Sequence, residues 1–184
     1  MSNNKLFRAA GWCALLVGLL MLAIHGVPSG TSNTVGMIME MGIMLGLTLV
    51  FYTLYVAHRA ESAGLSLAGL ISWILAFGLN LISTVSNLGT FLGTVGSLLW
   101  LLPFLIFGFL AYRSDRLPRG LAVAAFLSGI SLLIATVAGM MGSDAVVNVV
   151  SLVADIFMLV WVGWLGVVLL SKKFNVASPV PTAA

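Results

Sequence analysis

The sequence predicts an all-α membrane protein with six transmembrane helices, and three observations support that fold class. First, 61% of the 184 residues are hydrophobic and only 7% are charged, with a mean hydropathy of +1.17, whereas about a quarter of the residues in a soluble domain are charged. Second, the apolar residues form six long blocks, each able to span a bilayer as a helix. Third, the basic residues fall only in alternate connections between those blocks and at the two ends of the series.

The distribution of the basic residues predicts how the helices are oriented. If six helices alternate in direction, all Lys and Arg residues lie on one side of the membrane: Lys5, Arg8, Arg59, Arg113, Arg116, Arg119, Lys172 and Lys173. Basic residues collect on the cytoplasmic side of membrane proteins. We therefore expect three antiparallel hairpins with both termini in the cytoplasm. The net charge of +3 then reflects these loops rather than binding to nucleic acid.

The six blocks are predicted to form a single transmembrane domain over residues 1–173. The predicted helices cover residues 8–27, 34–57, 65–86, 90–112, 120–141 and 144–170. The first block follows two basic residues, as in a secretory signal, but it is long enough to span and lacks a small-x-small cleavage site. Pro103 is expected to kink the fourth helix. Residues 174–184, rich in Pro, Ala and Ser, are predicted to be a disordered cytoplasmic tail.

The sixth predicted helix carries a polar stripe within an otherwise apolar run. Asp144, Asn148, Ser151 and Asp155 are spaced by four, three and four residues, which places them on one helical face. A carboxylate halfway along such a helix must face protein, water or a bound ion, because contact with lipid costs several kcal/mol. Asp155 is therefore predicted to face the interior of the helix bundle.

Polar residues of other helices are predicted to continue this stripe around a cavity. His25 lies near the outer end of the first helix, and Glu40 and Asn80 lie in the outer halves of the second and third. The inner half of each helix is closed by Leu, Phe, Val and Trp. The predicted picture is a polar cavity open to the outside above a dry cytoplasmic floor. Its candidate ligand- or ion-binding residues are Glu40, Asp155, His25, Asn80, Asn148 and Ser151.

Two acids well inside the predicted spans suggest what such a cavity binds. No Lys or Arg shares the depth of Glu40 and Asp155, so each carboxyl group is expected to be protonated, paired with His25 or bound to a cation. The favoured hypothesis is a small membrane protein that binds or transports a proton, a cation or a small solute. The alternative is a non-catalytic accessory subunit of a larger membrane complex, in which these residues form hydrogen bonds between helices.

No cofactor and no metal centre are predicted. The single cysteine, Cys13, excludes an intramolecular disulfide and a multi-cysteine metal site. His25 is predicted near the outer side of the membrane and His58 near the inner side, so the two cannot together ligate one haem. A haem held by His25 and a methionine, or a Cu(I) site among the methionines of residues 37–44, is a less favoured alternative, because methionine more often fills gaps between helices.

No catalytic motif of a soluble enzyme is present, so the chain is not expected to be an enzyme. Two other motifs remain. Arg113, Arg116 and Arg119 either bind anionic lipid headgroups or only mark the cytoplasmic side. The segments Gly42-Ile-Met-Leu-Gly46 and Gly89-Thr-Phe-Leu-Gly93 are predicted to let helices approach each other closely.

The two ends of the membrane domain carry recognisable sequences. The chain opens with Arg8-Ala-Ala-Gly-Trp12 and closes with Trp161-Val-Gly-Trp-Leu-Gly166 before Lys172-Lys173. With the layout of three hairpins, these features resemble those of uncharacterised bacterial six-helix inner-membrane proteins. The resemblance implies a six-helix fold and a multi-pass location in the bacterial inner membrane, but no activity. The expected partners are the lipid bilayer and either other membrane subunits or further copies of this chain.

Overall fold

The computed structural model is all-helical over the residues that it describes, which are 3–25, 33–85, 89–114 and 117–171. The helices are α1 (Asn3–His25), α2 (Asn33–His58), α3 (Ala63–Val85), α4 (Gly89–Arg113), α5 (Arg119–Met140) and α6 (Asp144–Leu170). Each of the six contains a stretch that is long and apolar enough to cross a membrane. The prediction of six long apolar helices is confirmed, and helices of this kind indicate a multi-pass membrane protein.

The helix bounds differ most from the predicted ones at the start of the chain. α1 begins at Asn3 rather than near residue 8, because no Pro or Gly interrupts the polar residues that precede the apolar block. α4 is one continuous helix through Pro103. The predicted tail, together with Arg116, Lys172 and Lys173, lies outside the described residues.

The described chain divides into two compact units. The first comprises the residues up to Thr53 together with those from Val162, and the second comprises Leu54–Trp161. In the first unit, α1 buries one face at spacings of three and four residues, as expected of a helix packed along one side. The buried residues of this face are Phe7, Ala10, Ala14, Val17 and Met21.

Within the first unit, two glycines bring α2 close to α1. A Cβ atom added at Gly42 would lie 3.2 Å from Cδ1 of Leu20, and one added at Gly46 would overlap Cγ2 of Val17. Only the absence of a side chain permits this separation of the two helices. The predicted close approach at the Gly42–Gly46 motif is confirmed.

In the second unit, α3 contacts α4 along their length. A Cβ atom added at Gly69 would lie 2.8 Å from Cε2 of Phe107. Further along, the rings of Trp73 and Trp100 meet edge to face, with centroids 5.2 Å apart and an interplanar angle of 84°. Such T-shaped pairs add to the stabilisation that burial of the rings provides.

The other face of α4 contacts α5, again through glycines. A Cβ atom at Gly108 would lie 3.2 Å from Cβ of Ala125, and one at Gly129 would lie 3.1 Å from Cδ2 of Leu105. α4 therefore lies between α3 and α5 in this unit.

A tight turn leads from α5 into α6 and fixes where the polar stripe of α6 begins. Gly142 has a φ of +71°, a conformation that favours glycine. The amide of Ser143 donates to the carbonyl of Ala138 at 3.0 Å, and the amide of Gly142 donates to that of Gly139 at 3.1 Å. This pattern is a Schellman motif, and it confirms the turn predicted at Gly142-Ser143.

Candidate functional site

The polar stripe of α6 runs from the surface toward the core. Asp144 and Asn148 are exposed, whereas Ser151 and Asp155 are half-buried. Asp155 lies about 16 Å along the helix axis from the first residue of α6, given the rise per residue of an α-helix. The next residue on this face, Met158, is buried. Asp155 is thus the deepest polar residue of the stripe and lies at the edge of the apolar core.

Glu40 lies near the start of α2 and is exposed. The predicted inward-facing stripe would have buried it, but no residue in the segment 34–42 of α2 is buried. The periodicity places Glu40 on a helical face with Met37, which is itself 59% exposed. Exposure at this end of α2 fits either an open cavity or the outer surface, so the expectation that Glu40 turns toward a cavity stays a prediction. Asn148 is likewise exposed, and its place in the cavity also stays a prediction.

Asn80 is half-buried and lies against the backbone of α4. Its Nδ2 donates a hydrogen bond to the carbonyl of Ala76 at 2.9 Å. The same nitrogen would lie only 2.7 Å from a Cβ atom added at Gly96. The hydroxyl of Ser83 donates to the backbone carbonyl of Asn80 at 2.8 Å. The side chain of Asn80 is therefore fixed by its own helix and by the glycine opposite.

The six candidate residues belong to different units of the described chain. His25 is the last residue of α1, and with Glu40 it lies in the first unit, whereas the other four lie in the second. A cavity that all six residues share stays a prediction. The residues that the structure does bring onto one element are Asn148, Ser151 and Asp155 of α6.

Several hydroxyl groups within the described helices bond to the preceding turn of their own helix. Each donates to the carbonyl of a residue three or four positions earlier: Thr48 to Met44, Thr53 to Leu49, Ser72 to Gly69, Ser128 to Ala124 and Thr136 to Leu132. Such bonds satisfy the hydroxyl without a partner from another helix. Each of these hydroxyl groups therefore has a hydrogen bond within its own helix, whereas the accessory-subunit hypothesis expects polar residues to bond between helices.

A polar cluster that sequence reasoning did not predict lies at the other end of the second unit. Nδ1 of His58 lies 3.1 Å from Oε2 of Glu61, and the hydroxyl of Ser114 donates to Oε1 of the same carboxylate at 3.3 Å. His58 and Ser114 are buried, while about a third of the Glu61 side chain is exposed. The cluster connects the end of α2, the loop before α3 and the end of α4.

Of the two contacts in this cluster, only the one between His58 and Glu61 has a signal in the sequence. His58 and Glu61 are three residues apart at the end of a helix, a spacing that brings side chains together. Ser114, by contrast, is separated from Glu61 by 53 residues, and only the packing of α3 against α4 brings the two together. In this arrangement the carboxylate lies between the histidine and the serine. A catalytic triad instead has the histidine in the central position, so the geometry does not indicate nucleophilic catalysis.

Burial is unequal along the helices. In α2, α3, α4 and α6, the described segments nearest the predicted outer side contain no buried residue: 34–42, 77–83, 91–95 and 144–153. The opposite ends of the same helices carry most of the largest buried side chains, including Phe51, Phe104, Phe107, Trp161 and Leu165. α5 is an exception, since Ala135 and Ala138 are buried near its predicted outer end. The polar candidates thus lie where the helices are least covered.

Neither the described residues nor comparison with other proteins points to a particular ligand. Within the described ranges, no group of three His, Cys, Asp or Glu side chains comes together in a way that could hold a metal ion. Searches against protein-family models, curated proteins and solved structures find no match to this chain.

Proposed function

We propose that this chain is a small integral membrane protein whose outer half binds or transports a proton or a cation, with Asp155 as the principal binding group. Of the ligands that a polar cavity accepts, a proton or cation fits a carboxylate best, because it neutralises the charge at this depth. A small uncharged solute is the less favoured ligand. The proposal assigns no catalytic activity to the chain.

The observation that carries the proposal is the position of Asp155. A half-buried carboxylate deep in an apolar helix is stable when a proton or cation accompanies it. Along α6, Asn148 and Ser151 precede it on the same face and offer amide and hydroxyl oxygens. Oxygen ligands of this kind suit hard cations. Polar oxygen atoms therefore lead along this face from the exposed Asn148 through Ser151 to the carboxylate of Asp155.

The proposal includes a topology of three hairpins with both termini in the cytoplasm of a bacterial cell. Contacts within the helix pairs support it. Gly46 lies against Val17, joining α1 and α2, and Gly69 lies against Phe107, joining α3 and α4. A Cβ atom added at Gly139, in α5, would lie 3.7 Å from Cγ2 of Val147 in α6. The arrangement of the basic residues supports the assigned sides.

Ion flux into proteoliposomes tests the proposal. The protein is reconstituted into vesicles that contain a pH-sensitive or Na⁺-sensitive dye, and a K⁺ diffusion potential is imposed with valinomycin. We expect entry of H⁺ or Na⁺ above that of protein-free vesicles. Asp155→Asn should abolish this entry while the protein elutes unchanged in gel filtration. Asp144→Asn is the matched control, because it removes an exposed carboxylate from the start of the same helix, and it should retain the flux.

A carbodiimide that modifies membrane carboxyl groups gives a second measurement, which detects binding without transport. We expect modification of Asp155, located by mass spectrometry, to be slowed by Na⁺ or by raised pH. The proposal is wrong if Asp155→Asn leaves the ion flux unchanged. It is also wrong if wild-type vesicles behave as protein-free ones and neither Na⁺ nor pH alters the modification of Asp155.

A second candidate function is that of an accessory subunit, and the exposure of Glu40 favours it. Glu40 lies about 10 Å along the helix axis from the first residue of α2, given the helical rise. A carboxylate on the outer surface at that depth would be covered by a partner subunit or a second copy of the chain, since lipid disfavours it. Cysteine placed at Glu40 should then form crosslinks to another chain in native membranes, whereas cysteine at the exposed Leu75 of α3 should not.

A further inference from the structure

We propose that the junction of α4 and α5 binds the headgroup of an anionic phospholipid through the guanidinium groups of Arg113 and Arg119. Arg113 is the last residue of α4 and Arg119 is the first residue of α5, and both side chains are exposed. The connection between them is anchored, because Ser114 and Leu117 are buried. The two arginines are therefore held at one end of a pair of packed helices.

Aromatic rings at the end of α4 hold both guanidinium groups. Cζ of Arg113 lies 5.6 Å from the centroid of Phe109, and Cζ of Arg119 lies 6.0 Å from that of Tyr112. At these separations a cation is attracted to the ring face. The rings are exposed, Phe109 by 41% and Tyr112 by 57%. Exposed aromatic residues at the end of a membrane helix lie at the level of the lipid headgroups, so the rings hold the cations at that level.

The positive charge of this junction is not neutralised by the described carboxylates. Glu61 contacts Ser114, the residue after Arg113, and its two oxygens are engaged by His58 and Ser114. Neither Arg113 nor Arg119 forms an ion pair with a described acid. Asp115, in the same connection, lies outside the described residues. An anionic group from the membrane complements this charge.

A phospholipid phosphate fits these side chains by shape as well as by charge. A guanidinium group presents paired N–H donors that match two phosphate oxygens, whereas the lysine ammonium group is a point charge. A topology signal requires only positive charge, which lysine supplies equally well. Replacing arginine by lysine therefore separates a lipid site from a topology signal.

Native mass spectrometry of the purified protein with added lipid tests the proposal. The probes are phosphatidylglycerol and cardiolipin, with phosphatidylcholine as the zwitterionic reference. The double variant Arg113→Lys/Arg119→Lys should bind phosphatidylglycerol about tenfold more weakly, the loss that corresponds to one charge-assisted hydrogen bond. The matched control is Arg8→Lys/Arg59→Lys, which changes two other exposed arginines and should bind as the wild type does.

Two further measurements test whether the aromatic rings contribute to binding and whether the ligand is a lipid headgroup or free phosphate. Phe109→Leu/Tyr112→Leu keeps both arginines but releases them from the rings, and it should also weaken binding of phosphatidylglycerol. Inorganic phosphate at millimolar concentration should not displace the lipid, and if it does, the site is a free-phosphate site. The proposal is overturned if the two lysine variants bind anionic lipid equally well, or if phosphatidylcholine binds as tightly as phosphatidylglycerol.

Discussion

Gly11 of α1 and Gly166 of α6 face each other across a contact between two helix backbones. A Cβ atom added at Gly11 would lie 2.8 Å from Cγ of Leu170 and 3.1 Å from the carbonyl oxygen of Gly166. One added at Gly166 would lie 2.9 Å from Cγ of Leu15 and 3.0 Å from the carbonyl oxygen of Gly11. A flexible leucine moves aside, but a helix carbonyl does not. Both positions therefore need glycine for packing.

Alanine at these two positions should destabilise the protein although alanine favours helices. We expect Gly11→Ala or Gly166→Ala to lower the free energy of unfolding by about 1–3 kcal/mol, the usual cost of overpacking. Gly163, also in α6, has open space where its Cβ would lie. Gly163→Ala should instead raise stability by up to about 1 kcal/mol through helix propensity. Unfolding of the three variants in detergent and SDS measures these differences; equal effects at Gly163 and Gly166 would contradict the assigned contact.

Trp100 carries a buried indole N–H for which the described residues offer no hydrogen-bond acceptor. Phenylalanine keeps an aromatic ring beside Trp73 and removes this donor. We expect Trp100→Phe to change the unfolding free energy by less than about 1 kcal/mol, because the lost ring area is offset by removal of an unsatisfied group. Trp100→Leu also loses the aromatic pair and should be less stable than Trp100→Phe by about 0.5–1.5 kcal/mol. A loss of much more than about 1 kcal/mol in Trp100→Phe relative to the wild type would contradict an unsatisfied indole N–H.

At the scale of elements, the cluster of His58, Glu61 and Ser114 fastens the loop between α2 and α3 to the end of α4. Glu61→Ala removes both hydrogen bonds, and we expect it to lower the unfolding free energy by about 1–3 kcal/mol. Ser114→Ala removes one bond and should cost less. In the double variant the serine substitution should have little further effect, because its acceptor is already gone. Thermal unfolding in nanodiscs measures these differences.

The matched control for the cluster is Arg59→Ala, which changes an exposed residue of the same loop. It should leave the unfolding temperature within the range of ordinary surface substitutions. Additive losses from Glu61→Ala and Ser114→Ala would contradict a shared hydrogen bond between the two side chains.

The six helices could be predicted from the sequence, but the side of each helix that is buried could be predicted only in part. Apolar blocks of bilayer length define a helix locally, and the Gly42–Gly46 motif correctly indicated where α2 approaches another helix. Periodicity also placed Glu40 on one helical face with Met37, but it does not say whether that end of the face is covered by other helices. The bond between Ser114 and Glu61 had no signal, because residues far apart in sequence meet only after α3 packs against α4.

At the scale of the whole molecule, charge and burial both differ between the two ends of the helices. The eight basic residues fall at the ends predicted to be cytoplasmic, and most of the largest buried side chains lie in those halves of the helices. The acids inside the spans, Glu40 and Asp155, lie in the sparsely buried halves. Sparse burial in these halves of the individual helices is compatible with the proposed outward-facing binding zone. The orientation of the helices in the membrane therefore decides from which side a proton or cation would reach Asp155 in the proposed function.

Cysteine labelling in bacterial cells that express the protein measures that orientation. Cys13 is replaced by serine, and single cysteines are placed at Ala60, in the exposed loop before α3, or at Met141, which is 80% exposed in the turn before α6. The basic residues near Ala60 should keep its loop in the cytoplasm. A membrane-impermeant maleimide should then label Met141→Cys in intact cells, whereas Ala60→Cys should react only after lysis. The Cys13→Ser protein is the blank for both. Labelling of Ala60→Cys in intact cells, with Met141→Cys protected, would reverse the topology and place the approach to Asp155 on the cytoplasmic side.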